Sequence, residues 1–249
     1  MARIFVTGGV RCEGPDGSFA DADLPGAQGR AAFGILVLER RPLTRDALAD
    51  LVWGEALPAQ WNGALTSILS KVRRLVTGTG LDGGAVVASA GGTCAIHLPA
   101  DAWVDVEEAG RRLDAAEGAL RRGDAVSATT DATVASAVLR RPLLPGLSGD
   151  WIEARRAQHD DALQRCLLVL ATGWNARGNH DLAAIIAADA VSRDALRERA
   201  HRELIRAELG RGDRGAALRA YDRCVRVLDD ELAIAPDPAT RALIAHLDS

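Results

Sequence analysis

Residues 61–76 have the sequence WNGALTSILSKVRRLV, in which the apolar positions repeat at the helical period. One side of the predicted helix collects Leu65, Ile68, Leu69, Val72, Leu75 and Val76. With about 100° between successive residues, the opposite side collects small and polar residues with cations beside them. These are Thr66, Ser67, Ser70 and Arg74, with Lys71 and Arg73 on the flanks. The pattern predicts a core helix whose outer face is polar and cationic.

The residues before this helix predict a small sheet and two further helices. Short β-like runs at 3–7 and 10–12, followed by the turn sequence GPDG at 14–17, indicate an antiparallel sheet. Apolar spacing predicts a helix over 30–40, which Pro42 ends. Thr44 is a good N-cap for the next helix, which runs to Trp53.

After the helix, residues 85–89 and 93–98 are separated by Gly91-Gly92 and predict a β-hairpin. The order of sheet, three helices and hairpin is typical of a winged helix-turn-helix, whose third helix enters the major groove of DNA while the hairpin, or wing, reaches the minor groove. We therefore expect a DNA-binding domain over residues 1–100. Lys71 and Arg73 are predicted to contact phosphates, and Arg74 is long enough for a bidentate contact with guanine. The predicted base-facing hydroxyls on the helix are those of Thr66, Ser67 and Ser70. Ser89 and Thr93 on the wing are also predicted to contact DNA.

Residues 101–249 predict an all-α, tetratricopeptide-like domain. Helices are expected over 105–122, 124–140, 150–177, 180–192, 194–211, 213–231 and 237–247. Arg177-Gly178-Asn179 and Arg211-Gly212-Asp213 stand in matching contexts 34 residues apart, which is the period of tetratricopeptide repeats. The expected fold is mainly α with a small β component at the N-terminus.

Both halves contain motifs of one known family. In residues 1–100 these motifs are QGR (28–30), LTRDAL (43–48), VWG (52–54), AL (64–65) and SKVRRL (70–75). They resemble the OmpR-like winged helix of the actinobacterial SARP/AfsR-type regulators, although Thr93 stands where those relatives usually carry an aromatic residue. In the second half, GDRGAALRAY (212–221), DELAIAP (230–236), DPAT (237–240) and the entry sequence DWIE (150–153) resemble the bacterial transcriptional activator domain.

Composition and motifs exclude several other classes of protein. The net charge is −4, and residues 1–100 carry nine basic and nine acidic side chains, so there is no histone-like basic field. The four cysteines and five histidines lack metal-ligand spacing, and no nucleotide-binding or nucleophile motif is present. We expect no enzymatic activity, no cofactor and no metal. Apolar runs are too short to cross a bilayer, which predicts a cytoplasmic protein without a membrane partner.

Two functions remain after these exclusions. The resemblance implies a transcriptional activator that binds direct repeats in double-stranded promoter DNA. Its helical half would dimerise the protein on DNA, contact the RNA polymerase holoenzyme or sense a small-molecule effector. The alternative is a tetratricopeptide-like protein-interaction module whose winged helix no longer binds DNA.

Overall fold

A computed structural model describes residues 1–245, which form two compact units. The first unit combines residues 1–108 with residues 138–159, and the second combines residues 109–137 with the chain from Asp160 onward. The predicted class is confirmed, since within residues 1–245 all strands lie before residue 105 and helices follow one another after it. The division at residues 100 and 101 stays a prediction, and the segment 138–159 belongs to the first unit by packing.

The first unit contains two small β-sheets. The first has the strand order β3-β2-β1-β7, built from β1 (Arg3–Phe5), β2 (Arg11–Glu13), β3 (Ser18–Ala20) and β7 (Trp103–Val104). Strands β1 and β2 pair antiparallel, as predicted. Strand β3 pairs antiparallel to β2, and β7 pairs parallel to β1 with Ile4 opposite Val104. Neither β3 nor β7 was predicted.

Three helices follow the first three strands. They are α1 (Gly26–Glu39), α2 (Arg45–Trp53) and α3 (Trp61–Gly78). The predicted cap is confirmed, because the Thr44 hydroxyl accepts a hydrogen bond from the backbone N–H of Ala47 at 3.2 Å. The apolar stripe of α3 is also confirmed, with Leu65, Leu69 and Val72 buried in the core of the unit.

The second sheet carries the predicted hairpin. Its order is β4-β6-β5, from β4 (Leu43–Thr44), β5 (Val87–Ala90) and β6 (Thr93–Ile96). The hairpin starts two residues later than expected, because the Asp82 side chain caps a short helix, α4 (Gly83–Val86), by accepting from the N–H groups of Gly84 and Ala85.

The chain returns to the first unit after residue 137. Leu144 donates its backbone N–H to the carbonyl of Val6 at 2.9 Å, and its side chain is 1% exposed. It lies so close to Gly34 of α1 that a Cβ there would be 2.7 Å from a Leu144 methyl carbon. Leu143 and Ile152 belong to the same core.

Asp105 ties the end of β1 to the helix that follows β7. The carboxylate is 1% exposed and accepts hydrogen bonds from the N–H of Val6 at 3.1 Å, the N–H of Thr7 at 3.0 Å and the hydroxyl of Thr7 at 2.7 Å. A buried carboxylate is tolerated when its oxygens are saturated in this way.

The remaining helices are α5 (Asp105–Arg121), α6 (Ala125–Leu139), α7 (Asp150–Ala176), α8 (His180–Arg193), α9 (Glu198–Gly210), α10 (Arg214–Leu232) and α11 (Pro238–Ile244). The predicted helices agree with them to within a few residues, and the expected end of the last one at 247 lies outside the described residues. Among the described residues, no helix combines the length and hydropathy that a bilayer crossing requires.

The 34-residue repeat has a structural counterpart in the second unit. Gly178 and Gly212 both adopt positive φ, at 72° and 79°, in the turns before α8 and α10. Asn179 and Asp213 follow them as N-caps, and each side chain accepts from the backbone N–H three residues further on, that of Leu182 or Ala216. The same local chemistry therefore begins two successive helical hairpins.

Candidate nucleic-acid interface

Helix α3 presents one continuous polar stripe to solvent. Ser67 lies three and four residues before Ser70 and Lys71, Arg74 lies four and three residues after them, and all four are exposed. Because the opposite side of α3 is held in the core by Leu65, Leu69 and Val72, this orientation is fixed. The structure thus brings four of the predicted site residues together on one surface, which we call the α3 stripe.

The two cations of the α3 stripe carry uncompensated charge. Within residues 1–245, neither Lys71 nor Arg74 has a carboxylate partner within ion-pair distance. Exposed ammonium and guanidinium groups of this kind remain available to an anionic ligand.

The Thr66 hydroxyl, predicted to face the bases, is used inside the domain. It donates to the carbonyl oxygen of Asn62 at 2.9 Å and accepts from Nη2 of Arg45 at 2.8 Å. Thr66 is exposed, but its hydroxyl has fewer free positions for a base edge than those of Ser67 and Ser70.

Arg73, predicted to contact phosphate, is half-buried and turned toward the wing. Its Nε–H donates to the carbonyl oxygen of Val87 at 2.7 Å, at the start of β5. This leaves only the outer nitrogens of the guanidinium for other partners.

The wing ends in a tight two-residue turn. Gly91 and Gly92 have φ values of 56° and 76°, the left-handed conformation that hairpin turns of this length require. The Thr93 hydroxyl donates to the carbonyl of Ala90 at 2.9 Å, so it closes the turn. Ser89 is exposed, and its hydroxyl lies 3.7 Å from the Cys94 sulfur.

Arg45 is the residue of this surface that sequence reasoning missed. Its guanidinium reaches Asn62 and Thr66 of α3 and Ser89 of the wing. The sequence does contain a signal, because a cation at the first position of a helix opposes the helix dipole unless it bonds elsewhere.

Within residues 1–245, the titratable groups outside the interface do not form a second site. Burial raises the pKa of the Cys12 thiol to about 11, with a smaller effect from the neighbouring Glu13 carboxylate, and burial likewise raises that of Cys224 to about 11. All four cysteines are buried thiols, and none of them forms a disulfide. Among the described residues, no group of three or more metal-ligating side chains converges.

Comparisons with known proteins agree with this architecture. The model of the bacterial transcriptional activator domain matches residues 104–247. The regulatory protein AfsR of Streptomyces coelicolor is 31% identical over 247 residues, which is 97% of this chain but 24% of AfsR. The chain thus spans about a quarter of that relative.

A solved structure shares the fold. Mycobacterium tuberculosis EmbR, in a structure with a low-affinity phosphopeptide, superposes with a TM-score of 0.85 at 24% identity, over 97% of this chain and 63% of EmbR. The chain belongs to the SARP-type transcriptional regulators, the AfsR-related family that carries the bacterial transcriptional activator domain.

Proposed function

We propose that this protein binds double-stranded promoter DNA, with α3 in the major groove and the wing over the neighbouring minor groove. Lys71 and Arg74 on the α3 stripe have no carboxylate partner within residues 1–245, and their uncompensated charge is the observation that carries the proposal. Lys71 neutralises a phosphate, and Arg74 donates to a guanine edge, while Ser67 and Ser70 make shorter contacts beside it. The other predicted contacts, Thr66, Arg73, Ser89 and Thr93, complete the surface.

Affinity for a single site is expected to be modest. Residues 1–100 have no net charge, and hydroxyl groups discriminate weakly between bases. We therefore assign the helical unit the task of holding two copies on adjacent direct repeats. Joining two weak binders raises apparent affinity by about 10² to 10⁴ without any new DNA contact.

The helical unit offers apolar surface for protein contacts. On α8, Ile185 is 66% exposed and Leu182 is 39% exposed. Large apolar side chains grouped on one helix favour a protein partner, which supports the homodimer and the contact with RNA polymerase holoenzyme. A small-molecule effector of this unit is part of the same proposal.

A salt series of DNA titrations tests the proposal. Purified full-length protein is mixed with a labelled fragment of its own upstream region, and a shuffled fragment of equal length is the control. We expect tighter binding to the upstream fragment, with log affinity falling linearly as log salt rises. Equal affinity for both fragments, or none at low salt, would leave the interaction-module function in its place.

A further inference from the structure

The side chain of Arg45 connects helix α3 to the wing. Its Nε donates to the Asn62 side-chain oxygen at 2.8 Å, and its Nη2 donates to the Asn62 carbonyl at 3.0 Å and the Thr66 hydroxyl at 2.8 Å. Its Nη1 reaches the Ser89 hydroxyl on β5 at 3.5 Å. Four of the five N–H donors of a guanidinium are thus directed to groups inside the domain.

The backbone of Arg45 also holds the wing. Its N–H donates to the carbonyl of Gly92, in the turn at the wing tip, at 3.1 Å. The preceding residue, Thr44, pairs with Thr93 as part of strand β4. Arg45 therefore contacts the tip of the wing through its main chain and the first turns of α3 through its side chain.

Arg73 makes the matching connection at the other end of the wing. Its Nε–H bonds to the carbonyl of Val87, where β5 begins, and Arg73 itself lies in the second half of α3. A two-stranded hairpin has little stability of its own in water, so its direction depends on such contacts. Hydrogen bonds from a charged donor are stronger than neutral ones, which suits both arginines to this task.

We propose that Arg45 and Arg73 are positioning residues that fix the distance between α3 and the wing, and thereby the register between base contacts and wing contacts. The inference rests on the proposed DNA-binding function. It gives a role to Arg45, which was not among the predicted DNA contacts. For Arg73 it replaces the predicted phosphate contact with a positioning role. Loss of the hydrogen bonds of either arginine lowers discrimination between DNA sequences and leaves the electrostatic attraction to any DNA largely unchanged.

The test uses full-length Arg45→Met, Arg45→Lys and Arg73→Lys proteins, with Arg41→Met as the matched control. Arg41 is 65% exposed in its side chain and pairs with Glu39, so its replacement removes the same charge from the connection between α1 and α2. Amide hydrogen exchange of residues 87–96 without DNA reports the order of the wing. Titrations with upstream and shuffled fragments over a salt series report discrimination and the salt slope.

We expect Arg45→Met to reduce the affinity ratio of upstream to shuffled DNA about tenfold, the equivalent of one charge-assisted hydrogen bond. Its salt slope should match that of Arg41→Met, and its wing amides should exchange about tenfold faster. Arg45→Lys, which keeps a donor near Asn62 and Thr66, should recover part of the ratio. Arg73→Lys keeps the charge but loses the Nε–H, so its wing amides should also exchange faster.

Three results would overturn the proposal. The first is an equal loss on both DNA fragments in Arg45→Met with a salt slope lower by about one, which would make Arg45 a phosphate ligand. The second is unchanged wing exchange in Arg45→Met. The third is wild-type behaviour of Arg73→Lys in every measurement. If wild-type protein does not discriminate between the fragments, the DNA-binding function fails, while the exchange rates still decide whether the two arginines hold the wing.

Discussion

At position 74 an arginine stands one helical turn beyond Lys71 on the same exposed stripe, and the tasks we propose for the two cations differ. Arg74→Ala should cost about 1–3 kcal/mol on the upstream fragment and relax preference at one base position. Lys71→Ala should weaken binding equally on all sequences and lower the salt slope by about one. Arg219→Ala, exposed on α10, removes the same charge elsewhere and should change neither quantity.

Base-substituted fragments in a competition assay separate these outcomes. A uniform loss in Arg74→Ala across all fragments would show that Arg74 contacts the backbone. A loss in Arg219→Ala as large as that in Lys71→Ala would show that total charge, and not the α3 stripe, determines affinity.

The buried Asp105 carboxylate, at the first residue of α5, holds the two residues that follow strand β1. Asp105→Ala leaves the N–H groups of Val6 and Thr7 without their acceptor in a dry environment. We expect the free energy of unfolding to fall by about 1–3 kcal/mol in urea titrations. Asp101→Ala is the control, because this exposed carboxylate pairs with the N-terminal amine at 3.5 Å. Similar losses in both variants would contradict the role given to Asp105.

At the scale of an element, the wing depends on its turn. Gly91 has a φ of 56°, which Asn adopts readily and a β-branched residue does not. Gly91→Val should therefore loosen the wing and weaken discrimination between DNA fragments, while Gly91→Asn should behave like wild type. Amide hydrogen exchange of residues 87–96 measures the loosening of the wing directly. Equal exchange in the two variants would mean that the turn conformation does not control the wing.

Helices α5 and α7 are joined by an ion pair that depends on pH. Two hydrogen bonds of 2.9 Å from Arg165 hold the pKa of Glu117 below its ordinary value of 4.5, against the smaller opposing effect of burial. A lowered folded-state pKa stabilises the protein above pH 4.5, and this contribution disappears as the pH falls through the folded-state value.

Glu117→Gln should therefore reduce stability at pH 7 by about 1 kcal/mol or less, as expected for a partly exposed pair. The difference from wild type should shrink below pH 4.5. Urea titrations at several pH values measure this difference in the free energy of unfolding. Glu231→Gln is the control, because Glu231 is exposed at the end of α10. A difference that does not change with pH would contradict the ion-pair interpretation.

The sequence predicts those features of this protein well that show in a pattern of neighbouring residues or in a repeat. The apolar stripe of α3, the Thr44 cap and the 34-residue repeat all follow from local patterns. Strand β7 could not be predicted, because two residues have no period and its pairing with β1 joins positions about 100 residues apart. The network around Arg45 was missed for a similar reason, since Asn62 and Ser89 are distant in sequence.

At the scale of the whole molecule, the first unit is not contained in residues 1–100. Its core includes Leu143, Leu144 and Ile152, and Asp105 lies beyond the predicted boundary. Leu144→Ala in the full chain should cost about 2–5 kcal/mol and expose the amides of α1 to hydrogen exchange. Leu182→Ala, partly exposed on α8, should cost much less.

A fragment of residues 1–100 provides the companion measurement. It lacks the buried side chains named above, so it should show no cooperative urea transition, in contrast to the full chain. A cooperative transition with a midpoint equal to that of the full chain would contradict the contribution of residues 138–159 to the first unit.

Residues 109–137 belong to the second unit and separate the two segments of the first unit. The first unit can therefore be completed on the ribosome only after these residues have been synthesised. Leu144 and Ile152 are synthesised after the whole of the α5–α6 hairpin, about 36 and 44 residues beyond the point where the chain leaves that unit. At about 5–20 residues per second, synthesis of that stretch takes about 2–9 s. During this interval Gly34 and its neighbours on α1 lack their apolar cover. The apolar surface of α1 is therefore uncovered in the nascent protein until these residues have been made, and the first unit is not complete before Ile152 has been added.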